Sequence, residues 1–460
     1  MRKVALALVL AALALPVLAQ QSFTRENFNP GFRQPNGDYK ARRQKLAAKA
    51  GDGVVVLFAG MEEEGPNALY GFRQDENFFY LTGLRDPGAA LLIAAARPAQ
   101  NGTPARPYTE ILFLAKRNLT QEKWTGPKLN ADTADVRDVT GFDQVLPLDA
   151  MRDALVRILP QPRALVLSDL AAWDAHSSST PALQWLRRSN SFPNYIAFDD
   201  VKPLLAALRV QKDAGEMAII RHAVAASMAA HRRAAREMRP GLRESDIQTH
   251  MQHEFGQWGC PRPAYAPIVG TGFNSTVLHY SENARSIEPG DLVVMDVGAE
   301  CGMYAADITR TLPAGGKFTA RQREVYDVVL GAMQAAIASY QPGKSGFGRN
   351  APNSMHKVAM DYIDSHGKDL KGQSLGRYFI HGLTHYVGLN VHDPGDTNVL
   401  LQPGMVFTIE PGIYIPDEKL GVRIEDMFWI DPQGRLVNLT QDLPRTAEEM
   451  EGLMQSSTQQ

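Results

Sequence analysis

Three histidines stand close together near the carboxyl-terminal end of the sequence. His381, His385 and His392 lie within twelve positions, in the segment HGLTHYVGLNVHD. Imidazole nitrogens bind metal ions, move protons and form hydrogen bonds with developing charge. The three side chains could therefore all bind one ion, one could bind while the other two act on a substrate, or all three could be packing residues.

A helix would place the three histidines on one face, but the segment itself argues against a helix. Gly382 and Gly388 lie inside it, β-branched residues recur, and the sequence DPG at 393–395 ends it. The glutamate of an H-E-x-x-H zinc helix is also missing, because Gly382 follows His381. We therefore do not expect a helix that carries three histidine ligands.

Four acidic residues interrupt runs that otherwise have the pattern of apolar strands. Asp296 lies in LVVMDVG, Asp307 in YAADITRT, Glu410 at the end of VFTIE and Glu425 in GVRIEDMFWI. Any one of them could face solvent on an edge strand, but four buried charges are costly unless they bind a cation. Two divalent cations would remove their mutual repulsion, and oxygen ligands with one imidazole favour manganese, cobalt or iron. Such a dinuclear centre could activate a bridging hydroxide while the second ion polarises a substrate carbonyl.

The elements that must position these residues form two predicted domains, with a junction at about residue 204. In the first, residues 38–203, buried strands alternate with helical segments such as residues 149–158, which indicates an α/β layer. The predicted strands lie at 51–60, 89–96, 109–115 and 163–169. The second, residues 204–454, begins with a long helix capped by Asp213 and Glu216 and ended by the sequence RPG at 239–241. It continues with short strands between Pro-Gly turns, and Leu292 to Gly298 with Met303 to Leu312 are predicted to form an antiparallel hairpin.

Composition and the amino terminus limit the cellular role. The 460 residues include 48 basic and 50 acidic side chains, a balance that gives no electrostatic footprint for nucleic acid. Arg2 and Lys3 precede an apolar run from Val4 to Leu15, which is typical of a signal peptide, residues 1–19, cleaved after Ala19. The run is too short for a stable membrane anchor. We expect an exported protein of the bacterial periplasm.

The chain has two cysteines, Cys260 and Cys301, which excludes a disulfide-rich scaffold. In an oxidising compartment they could pair, but the sequence does not reveal whether their Cα atoms lie within the limit of about 7 Å. Pairing is therefore left open, and both are treated as structural residues.

Several motifs, in order, resemble aminopeptidase P, the Xaa-Pro aminopeptidase branch of the pita-bread metallopeptidases. They are FRQDENFFYLTG, LTQEKWTG, PIVGTGFNSTVLHYSEN, GDLVVMDVGAECGMYAADITRT, GKFTARQREVYDVVL, HGLTHYVGLNVHD, PGMVFTIEPGIYI and GVRIED. The resemblance extends from about Tyr39 to Met454. It implies an α/β amino-terminal domain of the creatinase and prolidase type. The α+β carboxyl-terminal domain would have the pita-bread fold, with the metal site on a curved antiparallel sheet.

The resemblance also implies a role for each candidate residue. The implied metal ligands are Asp296, Asp307, His385, Glu410 and Glu425. Asp307 and Glu425 would bridge two divalent ions, with Mn²⁺ expected and Co²⁺, Fe²⁺ or Zn²⁺ as alternatives, and Glu410 would also steer or deprotonate the attacking hydroxide. The implied catalytic residues without a metal are His279, His381, His392 and Arg423, and we expect Arg423 to hold a carboxylate by a bidentate contact.

The function that this resemblance implies is release of the first residue from peptides with proline in the second position. A prolidase, which cleaves only Xaa-Pro dipeptides, is the nearest alternative, and an inactive peptide-binding protein of the same fold is the third. The resemblance also implies a homo-oligomer, a dimer or tetramer. Trp124 is expected either to pack within its domain or to reach an active site, which could be that of its own chain or of a neighbouring subunit.

Overall fold

A computed structural model describes residues 32–62, 71–99, 104–159, 164–169 and 196–455. The predicted signal peptide, residues 1–19, lies outside these ranges. Within them, none of the helices combines the length and the apolar character that a membrane crossing needs.

The helices and strands of the described residues are numbered here in chain order. The α-helices are α1 Asn36–Ala50, α2 Glu76–Thr82, α3 Leu119–Thr125, α4 Val136–Thr140, α5 Met151–Ile158, α6 Lys202–Arg209, α7 Ala214–Glu237, α8 Glu244–Gln257, α9 Ala320–Ala338, α10 Met355–His366 and α11 Ala447–Gln455. The strands are β1 Val54–Phe58, β2 Ala90–Ala94, β3 Thr109–Leu114, β4 Gln144–Pro147, β5 Ala164–Ser168, β6 Ile196–Asp200, β7 Arg262–Pro263, β8 Ile268–Thr271, β9 Leu292–Asp296, β10 Ala299–Cys301, β11 Tyr304–Ala305, β12 Thr309–Pro313, β13 Val406–Ile409, β14 Gly412–Ile415, β15 Leu420–Arg423, β16 Asp426–Ile430 and β17 Leu436–Asn438. Short 3₁₀ turns lie at Leu148–Ala150, Gly272–Thr276, Leu375–Tyr378 and Pro416–Glu418.

The amino-terminal domain is built on one mixed sheet of strand order β4-β3-β2-β1-β5-β6. The pairs β1–β2 and β2–β3 are antiparallel, and the pairs β3–β4, β1–β5 and β5–β6 are parallel. The central strands are buried on both faces, which is why they are continuous apolar runs in the sequence. Alternate residues pack on opposite faces: Val54 and Val56 join the cluster that includes α5, whereas Val55 and Leu57 join the cluster that extends to α7. The predicted α/β layer is confirmed.

The connection between the two halves is helical. The predicted junction, residue 204, lies inside α6, and α7 follows after four residues. Asp213 and Glu216 form the predicted capping box at the start of α7. Met217 and Ile220, on the buried face of α7, belong to the same apolar cluster as the amino-terminal sheet, so the two domains share a continuous core.

The carboxyl-terminal domain consists of small antiparallel sheets surrounded by helices. Their strand orders are β12-β9-β8, β11-β10-β7, β13-β16-β17 and β14-β15. An isolated bridge between Thr309 and Glu425 joins β12 to the residue just before β16, and so links two of these sheets. A second bridge, between Tyr386 and Phe407, joins the histidine segment to β13. Residues 381–393 contain no helix, as the sequence indicates.

The predicted hairpin is present, with a break in its ladder. β9 pairs with β12, so that Asp296 faces Thr309, and β10 pairs with β11 beyond the break. At the tip, Gly302 has φ 57° and Met303 has φ 75°, the left-handed pair that a two-residue turn requires. At the break, a Cβ on Gly298 would collide with the carbonyl oxygen of Ala306, so only glycine permits this close approach of the two strands.

Cys260 and Cys301 form a disulfide, which settles the question that the sequence leaves open. Their Cα atoms lie 4.6 Å apart. Cys260 lies between α8 and β7, and Cys301 is the last residue of β10, next to the turn of the hairpin. The bond therefore ties the segment after α8 to the tip of the hairpin. Both cysteines are buried, and they fix the hairpin to the strand β7 that precedes Tyr265.

The disulfide is expected to stabilise the fold substantially. It closes a loop with a sequence separation of 41, for which the loss of unfolded-state entropy corresponds to about 4 kcal/mol. The double variant Cys260→Ser, Cys301→Ser should therefore unfold at lower denaturant concentration, as followed by tryptophan fluorescence. Reductant should shift the wild type in the same direction and leave the variant unchanged. Equal midpoints for wild type and variant would contradict this expectation.

Candidate metal centre

A cavity of about 620 Å³ in the carboxyl-terminal domain collects every residue that the sequence predicts for the site. These residues are His279, Asp296, Asp307, His381, His385, His392, Glu410, Arg423 and Glu425. They come from the hairpin, the histidine segment, the β13–β16 region and, for His279, the segment that precedes β9, so the fold joins four parts of the chain at one point.

The four carboxylates lie at strand ends. Asp296 is the last residue of β9, whereas Asp307 lies between β11 and β12. Glu410 follows β13, and Glu425 lies between β15 and β16. The prediction that all four lie within strands is therefore wrong for three of them. Beyond the regular ladder a side chain is no longer held perpendicular to its sheet, so carboxylates from different sheets can turn towards one point.

His385 lies between two of the carboxylates. Its Nε2 is 3.3 Å from Asp307 Oδ2 and 3.3 Å from Glu410 Oε1. Donor atoms of Asp307, His385 and Glu425 all lie within 4.8 Å of one another, a spacing that suits shared cations. Of the three clustered histidines, His385 is thus the one that lies 3.3 Å from two carboxylates, whereas His381 Nδ1 lies 3.8 Å from Glu410 Oε2.

Arg423 is the cationic side chain that faces this group of carboxylates. Its Nη2 donates to Asp296 Oδ2 at 2.6 Å, its Nη1 donates to Tyr414 Oη at 2.9 Å, and its Nε donates to Thr309 Oγ1 at 3.3 Å. The predicted bidentate contact is wrong, because only Nη2 reaches the carboxylate, while Nη1 and Nε donate to other side chains and Nη2 also donates to the carbonyl oxygen of Leu278 at 3.5 Å. Arg423 still performs the predicted task of holding a carboxylate.

His381 is linked to Arg423 through Tyr414. Its Nδ1 lies 2.8 Å from the carbonyl oxygen of Gly382, which can only accept, so Nδ1 carries the hydrogen. Its Nε2 therefore accepts from Tyr414 Oη at 2.9 Å. Burial, and then the positive charge of Arg423, lowers the pKa of His381 to about 4. The ring is neutral at pH 7, and both of its nitrogens are already engaged with protein groups.

Glu425 shows that the acidic group is incomplete without cations. Its Oε2 accepts from Thr309 Oγ1 at 2.7 Å, but its Oε1 is buried and has no hydrogen-bond partner among the described residues. An unpartnered carboxylate oxygen inside a protein is costly unless an ion binds it. The donor set of carboxylate oxygens and one imidazole is suited to divalent first-row ions, so these residues fit a metal centre.

The electrostatics of the carboxyls lead to the same conclusion. Burial raises the pKa of Asp307 well above its usual value, and Asp296 raises it further. Burial and Glu425 do the same for the pKa of Glu410, and burial and Asp307 for the pKa of Glu425. Divalent cations would supply the positive charge that allows these groups to ionise together.

His279 and His392 line the cavity without lying among the carboxylates. Both side chains are exposed, and the ring of His392 is 4.3 Å from that of His385, centroid to centroid, in an edge-on contact. Although His392 is open to solvent on one side, desolvation by the surrounding cavity wall, and then the neighbouring His385 and His279, lowers its pKa to about 4. These two histidines face the space where a substrate would lie.

Sequence reasoning missed two tyrosines of the site. Tyr265 Oη lies 2.6 Å from Asp296 Oδ1 and 2.7 Å from Asp307 Oδ1, so it shares its one hydrogen between two predicted ligands. Tyr414 connects Arg423 to His381, as described above. The available signal was weak, because each is a single hydroxyl within an apolar segment, AYAPIV and GIYI.

Replacing Tyr265 with phenylalanine is expected to weaken cation binding by roughly tenfold to a hundredfold, the usual cost of removing a hydrogen-bond partner of a ligand. Calorimetric titration of metal-stripped protein with Mn²⁺ measures the change. Tyr340→Phe is a matched control, because its hydroxyl donates to the carbonyl oxygen of Gly434, away from the cavity. Equal affinities of Tyr265→Phe and wild type would contradict the role given to this hydroxyl.

Comparisons with known proteins agree with this geometry. Residues 218–432 match the model of metallopeptidase family M24, and residues 39–166 match that of the aminopeptidase P N-terminal domain. The Xaa-Pro aminopeptidase of Escherichia coli strain K12 is 34% identical over 447 residues, which cover 92% of this chain and 98% of that protein. The Xaa-Pro aminopeptidase of Haemophilus influenzae is 32% identical over 443 residues, 91% of this chain and 97% of that one.

Solved structures are similar over the same length. The structure of aminopeptidase P from E. coli with the inhibitor Pro-Leu has a TM-score of 0.80 and 30% sequence identity, and it covers 93% of this chain and 100% of that chain. The resemblance and the two-part fold predicted from the motifs are thereby confirmed.

Proposed function

The chain belongs to metallopeptidase family M24 and carries the N-terminal domain of aminopeptidase P, and on this premise we propose that it is a Xaa-Pro aminopeptidase. It releases the N-terminal residue from peptides that have proline in the second position. The observation that carries this proposal is the cavity in which four carboxylates and His385 meet beside His279, His392 and Arg423.

Two divalent cations are proposed to be held by five residues. These are Asp296, Asp307, His385, Glu410 and Glu425, of which Asp307, His385 and Glu425 have donor atoms within 4.8 Å of one another and would suit closely spaced ions. When bound, the cations supply an acidified water as nucleophile and a positive charge beside the scissile carbonyl. Manganese is the proposed ion, because the ligands are mostly oxygen.

Glu410 is proposed to take up the proton that the attacking water releases. Glu410 lines the cavity and its Oε1 lies 3.3 Å from His385 Nε2, so its carboxylate is within the group where a general base must lie to reach the water. Thr408 Oγ1 donates to Glu410 Oε1 at 3.4 Å and orients the group weakly.

His279 and His392 are proposed to bind and orient the peptide. Both line the cavity, and an imidazole hydrogen can be donated to the oxygen on which negative charge develops. His381 and Arg423 act together through Tyr414, and Arg423 also keeps Asp296 in place.

A proline nitrogen within a peptide has no hydrogen, so an enzyme that grips the amide N–H of the second residue cannot use such peptides. A site that acts on the carbonyl side, as this one is proposed to do, avoids that requirement. The similarity to an E. coli structure that holds the inhibitor Pro-Leu supports a pocket that accepts proline after the scissile bond.

Three further properties are proposed from the sequence. The signal peptide, residues 1–19, would direct export to the periplasm, where the Cys260–Cys301 disulfide could form. The active form would be a homo-oligomer, a dimer or tetramer. Trp124, which is 82% exposed on α3, does not pack within its own domain, so of the expectations for this residue the contact with a neighbouring subunit is favoured.

The function is tested by peptide hydrolysis with Mn²⁺-loaded protein. We expect release of the first residue from Xaa-Pro-Xaa peptides, little hydrolysis of the matched Xaa-Ala-Xaa peptides, and lower kcat/KM for the Xaa-Pro dipeptide. Faster hydrolysis of the dipeptide than of longer peptides would instead identify a prolidase. Absence of hydrolysis in protein shown to contain two cations would favour a peptide-binding protein.

A further inference from the structure

The loop that carries His392 is held by residues of the amino-terminal domain. Arg73 Nη2 donates to the carbonyl oxygen of Leu389 at 2.6 Å. Asn390 Nδ2 donates to Glu76 Oε1 at 2.7 Å. Glu76 is the first residue of α2 and Arg73 precedes that helix by three residues, so two hydrogen bonds join the start of this helix and the segment before it to the loop.

Asn390 connects this crossing to His392 directly. Its Oδ1 accepts from the backbone N–H of His392 at 2.9 Å. Its own backbone N–H donates to Asp393 Oδ1 at 3.2 Å. The Asn390 side chain therefore bonds on one side to the amino-terminal domain and on the other to the residue proposed to orient the substrate.

The His392 ring depends on this backbone support. It touches the ring of His385, but within the described ranges neither of its nitrogens has a hydrogen-bond partner. Its position in the cavity is therefore determined mainly by where the loop places its Cα. A displacement of about 1 Å at such a group is enough to cost a hundredfold in rate.

The partner of Asn390 is itself fixed by charge. Glu76 Oε2 accepts from Arg209 Nη2 at 2.7 Å, and Glu76 Oε1 accepts from Arg73 Nη1 at 3.2 Å. Arg209 also donates to Asp393 Oδ1 at 2.6 Å, and Lys212 Nζ donates to Asp393 Oδ2 at 3.0 Å. Arg209, Lys212 and Asp393 are buried, and Glu76 and Arg73 are half-buried. Such a network of oppositely charged groups has little freedom to rearrange, because a broken contact leaves a charge without compensation.

We infer that Asn390 and Glu76 are positioning residues for His392. Through these two residues the amino-terminal domain sets the position of His392 in the catalytic site. The inference rests on the proposed function, because it assigns the two residues an effect on peptide hydrolysis. It gives the amino-terminal domain a task in the chemical step.

The test is a double-mutant cycle measured on an Xaa-Pro-Xaa peptide with Mn²⁺-loaded protein. Asn390→Ala removes both side-chain hydrogen bonds and should lower kcat about tenfold or more, with bound metal unchanged. In the His392→Ala background the same substitution should change kcat by less than about twofold, because the group that Asn390 positions is gone. Asn398→Ala is the matched control, since Asn398 Oδ1 accepts from the backbone N–H of Asn350 in a neighbouring loop.

A charge exchange provides a second readout. Asn390→Asp places a second carboxylate against Glu76 and should lower kcat. Adding Glu76→Gln should recover part of the lost kcat, because the amide at position 76 can then donate to the carboxylate at position 390. The inference would be overturned if Asn390→Ala lowered kcat equally in the wild-type and His392→Ala backgrounds. It would also be overturned if Asn390→Ala left kcat unchanged or removed bound metal. An inactive wild type would instead overturn the proposed function, so the two failures are distinguishable.

Discussion

Asp307→Asn is expected to lower kcat/KM for an Xaa-Pro-Xaa peptide at least about a thousandfold, equivalent to about 4 kcal/mol, and to reduce the bound metal. Asp307 is buried, its Oδ2 lies 3.3 Å from His385 Nε2, and its Oδ1 accepts a hydrogen bond from the Tyr265 hydroxyl. An amide is a much poorer cation ligand than a carboxylate and cannot balance the charge of two ions. Elemental analysis and steady-state kinetics measure the two losses.

The matched control for this variant is Asp361→Asn. Asp361 forms an exposed pair with Lys357 on α10, so its loss should leave metal content and kcat/KM at the wild-type values. An Asp307→Asn protein that binds two equivalents of Mn²⁺ with wild-type affinity would contradict the role of Asp307 as a shared ligand.

His392→Ala is expected to keep both cations and to lower kcat by about a hundredfold, the range found for removal of one group that stabilises developing charge. The reason is geometric, because His392 lines the cavity but does not lie among the carboxylates. His385→Ala should behave differently and lose metal, since its Nε2 is close to both Asp307 and Glu410. The measurements are metal content and kcat for the two variants side by side.

The contrast between these two variants answers the question posed by the histidine cluster. If His392→Ala emptied the site while His385→Ala retained both ions, the roles within the segment would have to be exchanged. If both variants lost metal, His392 would be a ligand.

The architecture of both domains could be predicted because the relevant patterns are local. The buried strands β1 and β2 are apolar runs, and the capping box of Asp213 and Glu216 marks the start of α7 in the sequence itself. The hairpin that carries Asp296 and Asp307 was also predictable from its strands and its Gly302 turn.

The details of the site depended on distant contacts and were less accessible. The sequence places Asp307, Glu410 and Glu425 in strands, whereas the structure places them just beyond strand ends, where the ladders stop. Strand ends are set by how neighbouring sheets meet, and no local pattern records this. The separate partners of the Arg423 nitrogens have the same origin, because Tyr414 and Thr309 reach Arg423 from other strands.

Two long-range links could not have been derived from the sequence alone. Pairing of Cys260 with Cys301 requires a short distance across the fold, which the structure provides at 4.6 Å between Cα atoms. The bond between Glu76 and Asn390 joins residues 314 positions apart. Each of these residues, taken alone, is ordinary in its local segment. The disulfide appears only in the folded carboxyl-terminal domain, and the Glu76–Asn390 bond only when the two domains are packed together.

The measurement that tests the central claim most directly is a titration of chelator-treated protein with Mn²⁺, in which bound metal and hydrolysis of an Xaa-Pro-Xaa peptide are followed together. We predict that activity is absent from the metal-free protein and reaches its maximum when two equivalents per chain are bound. Hydrolysis that persists in metal-free protein, or saturation of the site by ions without any release of the N-terminal residue, would contradict the account.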